Sequence, residues 1–315
     1  MRVVFFGSGE FAVPTLWWLI NSHHEIAAVV TQPDRPTGRG KKPQPTPVAT
    51  KAEEHNLPIE RCEDVNAKPF IEKVRSLQAD IGVVIAFGQK MSAQLCSVFP
   101  SECINLHASL LPKYRGASPI SAAILAGETE TGITVFRLVD RLDAGPILVQ
   151  RKTTIEPMET CGELHDRLAG ICCDAVDAAL KLHQTDTLPP GEQQDESKVV
   201  PAPKLKKSDG YLRFDEPANK IALRCRAMWP WPGARCRYLP PEGKPVEVII
   251  CSASAIPKNT NAPAGTITDM LSVSTSAGML EIHSLKPAGK RLMSWQDFVN
   301  GRHVKPGHCF ESLSD

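Results

Sequence analysis

Met1-Arg2-Val3-Val4-Phe5-Phe6-Gly7-Ser8-Gly9-Glu10-Phe11-Ala12 begins with an apolar run, stops at two glycines and passes into a helix-like stretch at 10–20. An apolar run with β-branched and aromatic residues, ended by glycine, reads as a strand and a tight turn. The alternation continues outward. Strands are expected at 26–31, at 80–86 (Asp80-Ile81-Gly82-Val83-Val84-Ile85-Ala86) and at 103–106, with a helix at 117–126. Strands alternating with helices predict the α/β class, a parallel or mixed sheet covered on both faces. Ligands of such sheets bind beyond the carboxyl ends of the strands, where the residues of chemical interest fall here.

At 164–182 apolar residues recur at helical spacing and close a first domain, 1–188. Pro189-Pro190-Gly191-Glu192-Gln193-Gln194-Asp195-Glu196 is acidic and rich in Pro and Gly, and it opens a linker at 189–208. Beyond it, short apolar segments at 247–251, 266–267, 271–273 and 280–283 are separated by Pro, Gly, Ser and Asn. They suggest that 209–315 is a small β-barrel or sandwich. Two domains also suit a length of 315 residues, more than one core usually spans.

With 42% apolar residues the chain has material for a buried core, but no run of about 18 apolar residues that would span a membrane. The N-terminus lacks the apolar h-region of a secretory signal, so a cytoplasmic protein is expected. The ten cysteines form no C-x-x-C pair and Cys172 and Cys173 are adjacent, a pattern of free thiols rather than disulfides or a metal site. Net charge is +1, yet residues 201–315 hold 16 Lys/Arg against 10 Asp/Glu, while 1–200 hold 20 against 25. A basic second part beside an acidic first part hints at a polyanionic partner held by one domain; ordinary solvated charge gives the same balance.

Gly7-Ser8-Gly9-Glu10-Phe11-Ala12 is formally a G-x-G-x-x-A turn, which binds a dinucleotide pyrophosphate in some folds and is a plain strand-to-helix turn in others. The second strand ends Val30-Thr31-Gln32, without the acidic residue a dinucleotide site wants. Thr31-Gln32-Pro33-Asp34-Arg35-Pro36-Thr37-Gly38-Arg39-Gly40-Lys41-Lys42-Pro43 is a long Gly/Pro segment, expected to be irregular. Arg35, Arg39, Lys41 and Lys42 make it either a phosphate-contacting arm or a solvated basic loop.

Cys103-Ile104-Asn105-Leu106-His107-Ala108-Ser109-Leu110-Leu111-Pro112-Lys113-Tyr114-Arg115-Gly116 carries the strongest chemical signal. Asn105 and His107, two apart on a strand, point to the same side. An amide donor beside an imidazole suits transfer to a carbonyl: the amide bonds a developing oxyanion and the imidazole moves a proton near neutrality. Downstream, Asp140-Arg141-Leu142-Asp143-Ala144-Gly145-Pro146 offers a carboxylate that would orient the imidazole and favour its protonated form. In the second part, Arg224-Cys225-Arg226-Ala227-Met228-Trp229-Pro230-Trp231-Pro232-Gly233-Ala234 is either a rigid, packed corner or a nucleic-acid stacking surface, and the corner is favoured because tryptophan is usually packed. Leu285-Lys286-Pro287-Ala288-Gly289-Lys290-Arg291 is a basic turn suited to a nucleic-acid backbone or simply to solvent.

Over nearly the whole chain these segments resemble the methionyl-tRNA formyltransferases. The resemblance rests on the turn at 6–12, the arm at 32–41, Asn105 to Ala117, Leu142-Asp143-Ala144-Gly145-Pro146, Ala202-Pro203-Lys204-Leu205, 226–234, and Pro287-Ala288-Gly289-Lys290. The Asn-x-His-x-Ser-x-Leu-Pro signature with a later Asp is shared by folate-dependent formyltransferases acting on nucleotide or amino-sugar acceptors. The arm and the second domain are what resemble the tRNA enzyme.

The resemblance implies a Rossmann-like formyltransferase domain followed by a smaller all-β OB-like barrel. It implies 10-formyltetrahydrofolate as donor, no metal, and the α-amine of initiator methionyl-tRNA as acceptor, in a monomer. Asn105, His107 and Asp143 match the family's catalytic positions, and Ser109, Leu110, Leu111 and Pro112 the folate-contacting segment. Arg39 matches an arm position that approaches the acceptor stem; Arg35, Lys41, Lys42 and Lys290 join it as expected tRNA contacts. In the implied chemistry Asn105 and His107 stabilise the oxyanion, while Asp143, through water, takes the amine's proton. A transferase with a small nucleotide or amino-sugar acceptor is the alternative. This chain departs from the family at Gly7-Ser8-Gly9, usually Gly-Thr-Pro, at Phe87-Gly88, usually Tyr-Gly, and at Arg141, often Gly.

Overall fold

In a computed structural model of the chain, residues 1–37, 42–183 and 190–313 are described. Two compact units are present: Met1–Pro119 with Thr131–Thr153 and His165–Ala202, and Ile120–Glu130 with Thr154–Leu164 and Pro203–Asp315. The opening apolar run is β1 (Arg2–Gly7), buried from Val3 onward as a strand covered on both faces must be. A 3-10 turn at Glu10–Ala12 leads into α1 (Val13–Ile20), with Pro14 in the first turn, where its missing N–H leaves no helical bond unmade.

Next come β2 (Glu25–Thr31), β3 (Arg35–Thr37), β4 (Lys42–Gln44) and α2 (Pro47–Glu54), whose first turn is capped by the Thr46 hydroxyl accepting from Ala49 N. They are followed by β5 (Ile59–Arg61), α3 (Lys68–Ser76), β6 (Ile81–Ile85), α4 (Ala93–Cys96) and β7 (Cys103–His107). Then β8 (Lys113–Gly116), α5 (Pro119–Leu125), β9 (Glu130–Arg137), β10 (Ile147–Thr154), α6 (Cys161–Leu182) and β11 (Val200–Ala202) complete this part of the chain.

The main sheet has the order β10-β9-β7-β6-β1-β2-β5. Pairing is parallel from β5 through β2, β1 and β6 to β7, and turns antiparallel between β7 and β9. On one face Val4, Phe6, Val30 and Val84 pack with Ile71, Val74, Leu95 and Phe99. The alternate residues Val3 and Phe5 are equally buried, as are Leu16 and Leu19 of α1. β7 is therefore the last parallel strand, and its carboxyl end lies where open α/β sheets bind ligands.

Two local expectations change. The basic arm is not irregular throughout: β3 and β4 pair antiparallel, with Pro36 opposite Pro43. Proline's fixed φ suits extended backbone, and a two-stranded ribbon leaves open edges where a missing N–H breaks no ladder. Arg39 and Lys41 lie outside the described residues. The expected linker also has fixed partners within the first unit, since Glu192 bridges Ile147 and β11 pairs in parallel with β8.

In the second unit α7 (Ala218–Met228) precedes β12 (Ala234–Leu239), β13 (Val246–Ile256), β14 (Val273–Ser274), β15 (Met279–Pro287), β16 (Met293–Ser294), α8 (Trp295–Arg302) and β17 (Cys309–Ser312). The sheet runs β14-β15-β13-β12-β17, and bridges from Thr266 to Cys309 and from Ile267 to Val273 join its two ends. That makes an antiparallel, nearly closed barrel around Tyr238, Ile250, Leu280, Leu285, Phe298 and Phe310. The packed-corner expectation holds for only part of 229–234: Trp229 is half-buried, but Trp231 is 58% exposed. The cysteines are all free, and no described helix is long and apolar enough to cross a membrane.

Candidate active site

β7 is held from both sides. Asn105 registers with Val84 of β6 and Phe136 of β9, and His107 with Thr134 of β9. Paired on both edges, the strand fixes the two side chains that its alternation assigns to one side. Asn105 is half-buried, and His107 is only 7% exposed.

The imidazole's hydrogen bonding defines its proton. Nε2 lies 2.8 Å from the Tyr114 carbonyl oxygen, which can only accept, so Nε2 carries the N–H. In the neutral ring Nδ1 is then an acceptor, and it faces Asp143 Oδ2 at 3.7 Å. Burial lowers the His107 pKa below its usual value and outweighs the opposing pull of Asp143 and the Tyr114 bond. As expected, Asp143 favours the charged ring, but the desolvation of a nearly buried ring favours the neutral one more.

Asp143, 7% exposed, stands on a loop with a left-handed backbone, φ +49°. Its Oδ2 accepts from Gly116 N at 2.9 Å. Gly145 lets the loop close against β9, because a Cβ there would come within 1.7 Å of the Arg137 carbonyl oxygen. The loop's backbone is also gripped from outside, where Gln194 Nε2 donates to the Asp143 and Gly145 carbonyls, both at 2.8 Å. Gln194 Oε1 accepts from Arg115 Nε and Nη2 at 3.0 and 2.7 Å.

Arg141, the cation two residues before Asp143, is paired with Glu196, which also accepts from Arg115 at 2.9 Å. Arg115 first, and then Arg141, hold the Glu196 carboxyl below the usual range. None of Arg115, Gln194 and Glu196 stood out in the sequence. The two acidic-linker residues looked like solvated spacer, and only their long-range pairing gives them a place.

Ser109, Leu110, Leu111 and Pro112 follow β7 directly. The Ser109 hydroxyl donates to the Lys113 carbonyl at 2.6 Å. Thr134 Oγ1 donates to the Ser109 carbonyl and accepts from Leu111 N, while Gln150 Nε2 donates to the Leu111 carbonyl. The segment is thus tied to β9 and β10, with Leu111 buried and Leu110 and Pro112 half-buried. The Gly7-Ser8-Gly9 turn is tied down as well: Gly9 N donates to Ala86 O, and the Ser8 hydroxyl donates to Phe87 O while accepting from Gln32 N. Those bonds favour a tight structural turn over a dinucleotide cradle.

Of the basic residues, Arg35 and Lys42 are exposed on the β3–β4 ribbon. Lys290 is exposed on the turn after β15, at the rim of a cavity of about 570 Å³ that Arg291, Met293, Asp297 and Arg302 also line. Among the described residues, no group of three or more His, Cys, Asp or Glu is arranged to hold a metal.

Two stretches of the chain match known protein families. Residues 1–174 match the formyl transferase family and residues 204–303 the formyl transferase C-terminal domain. The methionyl-tRNA formyltransferase of Methylococcus capsulatus is 43% identical over 303 residues, covering 95% of this chain and 96% of that enzyme. That of Heliobacterium modesticaldum is 38% identical over 322 residues, covering 98% and 100%.

Among solved structures, an N-formyltransferase from Helicobacter canadensis in complex with folinic acid and dTDP-3-aminofucose shares the fold, with a TM-score of 0.66 at 16% identity over 90% of this chain and 98% of that one. HypX from Aquifex aeolicus, in complex with tetrahydrofolic acid, has a TM-score of 0.62 at 15% identity; 97% of this chain matches 48% of its length, so the chain spans about half of HypX. With identities near 40% running the full length of both partners, the chain belongs to the methionyl-tRNA formyltransferase family.

Proposed function

We propose that the chain transfers the formyl group of 10-formyltetrahydrofolate to the α-amine of initiator methionyl-tRNA, with Asn105, His107 and Asp143 as its catalytic residues. Supporting this reading are the full-length relatives named for that activity and one geometric observation. Two proton acceptors, His107 Nδ1 and Asp143 Oδ2, stand 3.7 Å apart, and Asn105 lies two residues before His107 on β7.

An α-amine with a pKa of about 8 is mostly protonated at neutral pH and must lose a proton to attack. Once the ammonium has released one proton to solvent, the neutral amine's two N–H groups face His107 Nδ1 and Asp143 Oδ2, and this pair takes up one further proton as the nitrogen attacks. The bond from nitrogen to the formyl carbon forms, and Asn105 donates to the oxygen on which negative charge develops. The proton returns to the departing nitrogen as the old carbon–nitrogen bond breaks. With Nε2 donating to Tyr114, His107 has no N–H to offer the oxyanion in its neutral form. On this reading His107 is a proton carrier rather than an oxyanion donor, and Asn105 is the donor.

Donor binding falls to the loop at 109–112, braced by Thr134 and Gln150. The acceptor's phosphates meet the exposed cations Arg35, Lys42 and Lys290, together with Arg39 and Lys41. Residues 1–188 act as the catalytic domain, 189–208 as the connecting segment and 209–315 as the tRNA-binding domain of a monomeric cytoplasmic enzyme.

The test is a formylation assay with 10-formyltetrahydrofolate, comparing charged initiator and elongator methionyl-tRNA. Transfer to the initiator species is expected. Transfer to neither, or to free amino-sugar or nucleotide amines instead, would overturn the assignment.

A further inference from the structure

The loop that carries Asp143 does not hold itself. Its central residue adopts a left-handed backbone, φ +49°, which a non-glycine residue keeps only when its surroundings impose it. What surrounds it is a closed circuit of hydrogen bonds through β8. Three consecutive residues there reach three different groups: the Tyr114 carbonyl accepts from His107, the Arg115 guanidinium donates to Gln194, and Gly116 N donates to Asp143.

Gln194 closes the circuit. Its oxygen faces only the guanidinium, and its nitrogen only the carbonyls of Asp143 and Gly145, so the orientation of its amide is fixed by chemistry. Arg115, 8% exposed, is held in turn by Glu196.

We infer that Gln194 is a positioning residue for the transfer reaction: by pinning the Asp143 and Gly145 carbonyls it sets where the Asp143 carboxylate stands relative to His107. The inference rests on the formyl-transfer reading above. Gln194 is bonded to the loop backbone and to Arg115, and on this account it acts through Asp143. The acidic Pro/Gly stretch is, on this account, part of the catalytic framework as well as a connection to the second unit.

The test uses the full chain and single-turnover transfer from 10-formyltetrahydrofolate to charged initiator tRNA. Gln194→Leu is expected to lower kcat by about 10- to 100-fold, the scale of an ångström-sized misplacement, with both KM values within about 2-fold. Gln194→Glu keeps an oxygen for Arg115 but turns a second oxygen toward two carbonyls, and it should fall at least as far; it carries the comparison if Gln194→Leu does not fold. Because Gln194 works through Asp143, adding Gln194→Leu to Asp143→Asn should change the residual rate by less than about 3-fold.

Two outcomes would overturn the inference alone: single Gln194 variants at wild-type rate while Asp143→Asn is impaired, or an undiminished Gln194→Leu loss in the Asp143→Asn background. Wild-type transfer by Asp143→Asn, or none by the unaltered chain, would instead remove the catalytic reading and the inference with it.

Discussion

His107 Nδ1 and Asp143 Oδ2 face each other at 3.7 Å as two acceptors with no donor from the described residues between them, because the ring's own N–H points to Tyr114 O and Oδ2 already accepts from Gly116 N. Such a pair is idle without a donor and well matched to an amine that brings two N–H groups.

The buried neutral ring has a stability signature. The folded pKa of His107 is lowered, with burial as its largest cause. Between that value and the unfolded value of about 6.5, the unfolded state binds more protons, so stability rises with pH through this window. The contribution is present above about pH 6.5 and is lost as pH falls toward the folded pKa. Denaturant melts of the wild type and His107→Gln across pH 4.5–8 should show their stability difference shrinking on acidification. A difference that grows on acidification would mean the folded ring is protonated.

In the proposed mechanism Asn105 is the donor to the developing oxyanion, since neutral His107 offers no second N–H. Asn105→Ala should lower kcat by about 10²- to 10³-fold and leave both KM values nearly unchanged. Steady-state kinetics with both substrates varied would decide it; a rise in the folate KM at constant kcat would make Asn105 a binding residue instead.

Gly116 combines two constraints that tolerate no side chain. Its φ is +127°, and a Cβ would lie 2.4 Å from the Ala202 carbonyl oxygen, across the β8–β11 pair. Gly116→Ala is expected to destabilise the fold by about 1–3 kcal/mol. It should also reduce transfer, because the same residue's N–H holds Asp143. Wild-type urea midpoints and rates together would show that β8 and β11 can separate freely.

How much of this could be read in advance follows the range of the interactions. The buried strands β1, β2, β6 and β7 were legible because their apolar runs are local patterns bounded by turns. The adjacency of Asn105 and His107 on β7 was legible by alternation. The approach of Asp143 was not, since it depends on a left-handed backbone at 143 and a glycine pressed against Arg137. Gln194 and Glu196 were invisible: residues 51 and 81 positions away from them in sequence give them their partners, and Pro/Gly composition marks a linker whether or not it docks. The ribbon β3–β4 was misread as irregular because two prolines discourage a strand assignment, yet facing each other on a two-stranded ribbon they break no ladder.

The exposed cations lead to the last prediction, which separates holding tRNA from doing chemistry on it. Each phosphate neutralised by a lysine or arginine adds about 0.7–0.9 to the slope of log binding constant against log salt. Lys42 on the ribbon and Lys290 on the turn after β15 are both exposed, and Lys290 lies beside Arg291 and Arg302. Lys42→Ala and Lys290→Ala should each lower the salt slope of tRNA binding by somewhat under one unit and raise the KM for tRNA. Because neither residue hydrogen-bonds to His107 or Asp143 among the described residues, kcat at saturating tRNA should stay within about 2-fold. Filter binding from about 50 to 200 mM salt, with the kinetics measured alongside, provides the readout. An unchanged slope for Lys290→Ala would mean that the turn of the second unit is solvated surface, and that the tRNA's phosphates are met elsewhere.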